Sequence, residues 1–432
     1  MGHPGALPAA NAAAIEKAIQ AALALKTTIC TDNHLDRKNY FYPDLPAGYQ
    51  ISQYDFPIAK DGLLLFGDGK QCAVRRLHIE NDAGKLTHLR GKTLCDYNRA
   101  GVPLMEIVTQ PDLRSATEAV AFAKELQRIL IAVGASEADM YKGMMRFDAS
   151  VSLRPKGEEK LYPRSEIKNL NSFKSLEKAL LFEESRLQKL WEEGNPLGKE
   201  VTVHWDDERE VGVILRDKES AADYRYFPEP DIPPFHFDAA MLANLGGGVA
   251  ELPREREEKY RARGLSPAEA KQLSSDTALA AYYEGVQQYT KDEKRTRSVV
   301  LTQLLGFLGA AGKALEAGPS SGDIISLLKE VDRGAITANA AKAVLEKMVL
   351  SGSKASVIIA EEGLGAVSDM SLLKKYVQEA IEKNPKAVAD VRAGNAKAMG
   401  ALVGYVMKMT KGQGDPALVN RLLHEKLRGE TS

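Results

Sequence analysis

Between Arg76 and Val108 the chain reads RLHIENDAGKLTHLRGKTLCDYNRAGVPLMEIV, and no other stretch limits the fold as much. Its opening alternates as a half-buried strand does, which puts His78, Glu80 and Asp82 on one face. Its close, Pro103-Leu104-Met105-Glu106-Ile107-Val108, is apolar apart from one carboxylate. An acid between Met105 and Ile107 is costly to bury unless a cation or hydrogen-bond donors meet it. A Gly-containing loop joins the two segments, so Glu80 and Glu106 are expected to face one another. Two carboxylates beside an imidazole make the oxygen-rich donor set that Mg²⁺ takes. The alternative on the same residues is a solvated strand edge with Glu106 paired to Arg99.

The remaining chemistry is bounded by composition. Lys and Arg number 58 against 59 Asp and Glu, a net charge of -1, so any polyanion-binding surface is a local patch. Cys30, Cys72 and Cys95 are scattered and form no CxxC pair, which supports neither a disulfide framework nor a zinc site and suits a reducing, cytoplasmic setting. No apolar run reaches membrane-spanning length, and the opening MGHPGALPAAN lacks the pattern of a signal peptide.

In chain order, Asn11 to Leu25 reads as a helix with Ile15, Ile19 and Leu23 on one side. Asp36 to Asp55 (DRKNYFYPDLPAGYQISQYD) is expected to be an ordered, aromatic-rich loop. Its Arg37, Lys38 and Gln50 to Gln53 are suited to phosphates or an RNA terminus, and its rings either stack on bases or pin the loop to the core. Strands are expected at Leu63 to Phe66 and Gln71 to Ile79. Gly91-Lys92-Thr93 looks like the end of a phosphate-binding loop, but Leu86 stands where that motif needs its first Gly. Ser115 to Val133 reads as a helix with a Ser115/Glu118 capping box. Met145 to Leu153 is a strand whose polar face carries Arg146, Asp148, Ser150 and Ser152, with Arg164 to Asn169 pairing beside it and presenting Glu166 and Lys168 together. A helix from Asn171-Ser172 to about Glu193 and a hairpin from Val201 to Leu215 follow. Prolines 228, 230, 233 and 234 keep Ala222 to Pro234 out of any sheet interior, as a cleft lining with Asp223, Arg225 and Glu229 or as a domain-edge strap.

Beyond Gly246-Gly247-Gly248 strand patterns cease and helices follow to the end, the last two at Ala398 to Met409 and Pro416 to Arg428. From Asp390 onward the bases exceed the acids by about three, an excess that fits RNA backbone contact or an ordinary solvated surface. Three regions are expected: residues 1–244, a helical connector over 245–292, and a helical tail over 293–432.

Taken together, PGALP, DRKNYFYPD, YQISQYD, HIENDAGK, NRAGVPLMEIV, MRFDASVSLRP, EIKNLNSF, DYRYFPEPD and AMGALVGYVMKMTKGQGDP resemble the B subunits of aspartyl/glutamyl-tRNA amidotransferases, in the same order and over nearly the whole chain. The resemblance implies an α+β chain. Its catalytic domain would be an antiparallel sheet with helices, of the glutamine synthetase and guanidino kinase type, followed by an all-helical tail similar to the YqeY module that grips tRNA. It implies a ligase that uses ATP and Mg²⁺ to phosphorylate the side-chain carboxylate of Glu-tRNA(Gln) or Asp-tRNA(Asn). Ammonia from an amidase A subunit would then displace the phosphate, with a small C subunit bracing the pair. Carried over by position, Glu80 and Glu106 match metal-ligating carboxylates and Asp148 an acid of the amidation site. Arg146 and Lys168 are expected to offset developing charge, and Lys408, Lys411 and Arg421 to meet tRNA. Where the family's pattern has a second acid after Glu80, this chain has Asn81. The family also begins roughly forty residues earlier, with a strand bearing Gly-Leu-Glu-hydrophobic-His whose absence would leave a sheet edge unpaired. A displaced start is expected from this, and a catalytically inert tRNA-binding scaffold is the alternative.

Overall fold

The computed structural model describes residues 5–217, 224–247, 251–364, 370–392, 398–410 and 416–429. Two compact units divide the chain at residues 255 and 256. The first opens with α1 (Ala12–Ala24), whose start is capped by the Asn11 side chain accepting from the Ala14 N–H. Then come β1 (Thr28–Ile29), β2 (Asp32–Asn33), β3 (Asp36–Asn39), β4 (Tyr49–Ser52), β5 (Ala59–Phe66) and β6 (Lys70–Asn81). A small hairpin, β7 (Lys85–Leu89) and β8 (Lys92–Asp96), precedes β9 (Pro103–Thr109) and α2 (Ala116–Ala132). The second half of the unit contains β10 (Phe147–Val151), β11 (Ser165–Leu170), α3 (Phe173–Glu192), β12 (Val201–Asp206), β13 (Val211–Asp217), β14 (Phe227–Pro228), β15 (Phe235–His236) and α4 (Ala239–Gly247).

Two four-stranded sheets form the frame, in the orders β1-β5-β6-β9 and β10-β11-β12-β13. Helix α2 serves both. Phe122, Leu126, Ile129 and Leu130 join the core beneath β5 and β6 with Ile19, Leu64, Phe66 and Leu77. Ala116, Ala119 and Ala123 pack with Ile167, Leu176, Leu180 and Trp205 of the other sheet layer. Phe66 meets Phe122 edge-on, ring centres 5.8 Å apart. Each buried Leu, Ile or Phe among these contributes about 2 kcal/mol through burial and each alanine less than half of that, so α2 packs against both sheets.

Several expectations change here. The second sheet is not wholly antiparallel: β11 runs parallel to β12, with Ser165 opposite Val201 and Ile167 opposite Val203. Parallel neighbours need a crossover, and the 20-residue α3 supplies it. The expected aromatic loop contains the antiparallel pair β3–β4, and β14 joins it at the edge, where a proline costs no ladder bond. The Ser115 hydroxyl accepts from Glu118 N–H as expected, but the Glu118 carboxylate takes the Arg114 N–H, so the box is only half formed.

Among its described residues the second unit is entirely helical: α5 (Pro253–Ala262), α6 (Pro267–Ser275), α7 (Thr277–Thr290), α8 (Glu293–Arg297), a π-helical stretch (Ser298–Leu304), α9 (Leu305–Ala310), α10 (Ser321–Asp332), α11 (Ala338–Ser351), α12 (Ala355–Glu361), α13 (Met370–Lys383), α14 (Pro385–Arg392), α15 (Met399–Met409) and α16 (Pro416–Gly429). Ser266 and Glu269 make a complete capping box at α6. Helices on both sides of residue 292 share one core through Tyr260, Leu273, Tyr283, Leu304, Ile324 and Val344. A separate cluster of Leu373, Val377, Leu402, Val406, Val419 and Leu423 holds the last four helices. Pro385 opens helix α14 from the first-turn position, where its missing N–H costs no helical bond.

Candidate functional site

Strands β6 and β9 pair so that His78 lies directly opposite Glu106 and Glu80 opposite Leu104. Cross-strand partners share a face, and so do residues two apart, so the register gathers His78, Glu80 and Glu106. The His78 Nε2 atom stands 3.4 Å from Glu106 Oε2 and 3.9 Å from Glu80 Oε2. One ligand-capable atom from each residue lies within 4.8 Å of the other two. His78 is buried and its Nδ1 has no hydrogen-bond partner, whereas Glu106 is half exposed and opens the cluster to solvent. Burial alone would raise the Glu106 carboxyl. The bond and charge of His78, with Lys38 and Arg76 nearby, outweigh this and hold it down at about 2. Burial disfavours a charged His78, but its bonds to Glu106 and Glu80 prevail and raise its pKa.

The loop expected to carry RNA-facing groups mostly supports this cluster. Gln53 is buried, accepts the Ile79 N–H at 3.0 Å and donates to the Phe56 carbonyl, fixing β6 beside His78. Gln50 donates to the Asn81 carbonyl at 2.7 Å, and the Ser52 hydroxyl reaches Glu80 at 3.4 Å. Gln50, Gln53 and Arg37 are therefore committed inside the fold rather than presented to a ligand. Arg37 holds Glu229 through two bonds of 2.6 and 2.9 Å and Asp231 at 2.8 Å, which makes the proline-rich segment a strap. Asp223 lies outside the described residues, and Arg225 gives its carbonyl to Asn39. Lys38 faces Tyr224 and Tyr40 at 4.9 and 5.6 Å, and Tyr226 stacks on Tyr54 at 4.7 Å. Burial pushes the Tyr40 and Tyr226 hydroxyls up, and the charge of Glu80 adds to both. These rings form a wall beside the acids that spacing in the sequence does not reveal.

The polar face of β10 forms the second half of the site. Between the pairs Phe147–Leu170 and Ala149–Ile167 the register slips, so Asp148 sits at a bulge opposite Lys168 and its neighbour. Lys168 Nζ lies 3.6 Å from both Asp148 and Glu166, and Arg146 is exposed immediately before the strand. Burial raises the Asp148 carboxyl; Lys168 and Arg146 oppose this, while Glu166 and Glu106 add to it. Because Asp148 feels Glu106, and Tyr40 feels both Glu80 and Arg146, the two sheets contribute to one electrostatic neighbourhood. Asp82, expected on one strand face with Glu80, lies just beyond the end of β6 and is taken by Arg99 at 2.5 Å, so Arg99 does not partner Glu106.

In the second unit Lys408 and Arg421 are exposed on α15 and α16, while Lys411 lies outside the described residues. No helix among the described residues is long and apolar enough to cross a membrane.

A family profile described as the GatB/GatE catalytic domain matches residues 1–243, and one described as the GatB domain matches residues 281–427. Similar chains include the aspartyl/glutamyl-tRNA(Asn/Gln) amidotransferase subunits B of Carboxydothermus hydrogenoformans (43% identical), Myxococcus xanthus (41%) and Geobacillus kaustophilus (39%). Each alignment covers 99% of this chain and 90 or 91% of the relative.

Proposed function

The chain belongs to the family of aspartyl/glutamyl-tRNA(Asn/Gln) amidotransferase B subunits, and from that premise we propose that its acid cluster and the residues around it activate the side-chain carboxylate of a misacylated tRNA. The carboxylate of Glu-tRNA(Gln) or Asp-tRNA(Asn) attacks the terminal phosphorus of ATP, giving an acyl phosphate and ADP. Ammonia then adds to the acyl carbon and phosphate leaves, forming the amide. The A subunit supplies that ammonia by hydrolysing glutamine, and the small C subunit completes the complex. The nearly full-length likeness to such subunits gives no support to an inert scaffold.

The observation that carries the reading is the His78–Glu80–Glu106 cluster, with Asp148 near enough to feel the charge of Glu106. Two carboxylates and the imidazole Nε2 that faces both of them fit a divalent cation of the Mg²⁺ or Mn²⁺ kind. Bound there, such an ion supplies Lewis acidity toward phosphate oxygens. Arg146 and Lys168, both close enough to act on Asp148, would offset the charge of the phosphate that leaves. The attacking ammonia must lose a proton, and the Asp148 carboxylate is the group we assign to receive it. The glutamine synthetase or guanidino kinase type of fold remains part of this proposal. It is compatible with Gly91 serving as a hairpin turn residue at φ +76°.

Replacing Glu106 by Gln in the complete complex tests the reading. We expect tRNA-dependent ADP release to fall by roughly 100-fold or more, with the glutaminase of the A subunit retained. Normal ADP release would remove Glu106, and with it the cluster, from the chemistry.

A further inference from the structure

Strands β7 and β8 form a sheet of two on their own, and every residue of both except Leu86 is exposed. A two-stranded hairpin is marginal by itself, yet this one is firmly rooted. The Asp82 N–H donates to the Val102 carbonyl at 2.8 Å, and Gly101 N–H donates back to the Asp82 carbonyl at 2.9 Å. Arg99 binds the Asp82 carboxylate. Gly84 N–H donates to the Asp44 carbonyl at 2.9 Å, and the Tyr97 hydroxyl to the Pro43 carbonyl at 2.6 Å. Gly84 is required in that root, because a Cβ there would stand 2.9 Å from the Asp96 carbonyl oxygen and 3.0 Å from the Tyr97 ring.

We propose that this hairpin is a rigid arm that grips the sugar-phosphate backbone of the substrate tRNA beside the acid cluster; the proposal rests on the function given above. Lys85, Arg90 and Lys92 are all exposed on it, against a single acid, Asp96, in a protein whose charges otherwise balance. Arg and Lys position nucleic acids by their phosphates. The arm leaves β6 just beyond Glu80 and returns through Val102 to β9, so its base adjoins the cluster. Its five-residue strands reach about 17 Å from there. The binding chemistry points to RNA rather than to a protein partner. Leu89 and Leu94, 48% and 50% exposed, sit opposite Lys92 and Thr87 in the ladder, so lysine and threonine interrupt any apolar face. The centres of protein interfaces are depleted in lysine.

The test is the double variant Arg90→Ala with Lys92→Ala in the complete complex. Both positions are at the exposed tip, so the root and the cores are untouched. We expect the KM for misacylated tRNA to rise about tenfold with kcat at saturation unchanged, and the salt slope of tRNA binding, measured without ATP, to fall by about two. An unchanged slope and KM would overturn the proposal. So would loss of the A or C subunit from the complex with tRNA affinity intact, which would make the arm a protein contact. Absence of ADP release from the unaltered complex would instead defeat the functional reading, leaving the binding measurement to judge the arm by itself.

Discussion

Gly143 shows how a single missing methyl group sets the geometry of the site's edge. Its φ of +67° favours glycine, and a Cβ there would stand 2.8 Å from the Arg99 guanidinium. Arg99 in turn fastens Asp82 at the foot of the exposed hairpin. We expect Gly143→Ala to lower stability by about 1–2 kcal/mol, read as a shift of the urea midpoint, and to loosen the Arg99–Asp82 pair. An unchanged midpoint would show that the loop accommodates the methyl group by moving. At this scale the sequence is legible where strand periodicity holds: His78 and Glu80 share a face of β6 as read, whereas Asp82 lies one residue beyond the strand's end. It is silent on partners chosen across loops. Arg99 takes Asp82 rather than Glu106, and His78 fills the place opposite Glu106, because the register of β6 against β9 decides both. The spacing of two between His78 and Glu80 is the signal that already sets the imidazole beside the carboxylates in the sequence.

Between elements, the strap that holds β14 against β3 depends on one buried pair. The Glu229 side chain is fully buried, and Arg37, one-fifth exposed, also lies over the Tyr49 ring at 4.3 Å. Removing the acid leaves a largely desolvated guanidinium with only the half-exposed side of its network, so Glu229→Ala is expected to cost about 3 kcal/mol. Burial would raise the Glu229 carboxyl, but the Arg37 bond and the Asp231 N–H lower it below its ordinary range. The sign follows: this contribution is present above the ordinary carboxylate pKa and is lost as pH falls through the depressed folded-state value. The urea midpoint of the native protein should therefore drop on acidification more than that of Glu229→Gln; equal slopes would show that the pair adds no pH-dependent stability. Prolines and aromatic rings hid β3 and β4 from the sequence, since local composition there argues for a loop and only pairing with distant Phe227 completes the sheet. The parallel contact of β11 with β12 was hidden for a related reason: periodicity tells which face of a strand is buried, but not the direction of its neighbour.

For the molecule as a whole, near-cancelling charge means that RNA must be held by local patches, and the second unit is expected to supply one. Helices α15 and α16 bury Leu402, Val406, Val419 and Leu423 in the core they share with α13 and α14, which leaves Lys408 and Arg421 exposed to solvent. Substituting those two residues removes charge without touching packing. We expect Lys408→Ala with Arg421→Ala to weaken tRNA binding several-fold and to reduce its salt slope by about two, while kcat at saturating tRNA is unchanged. Titrations at several salt concentrations, with helix content checked by circular dichroism, measure all three. A binding loss with the original salt slope would mean that the helices act through shape rather than phosphate contact. No loss at all would remove these helices from the RNA-binding surface and leave the charge excess of the tail as ordinary solvation, the reading that composition alone cannot separate from recognition.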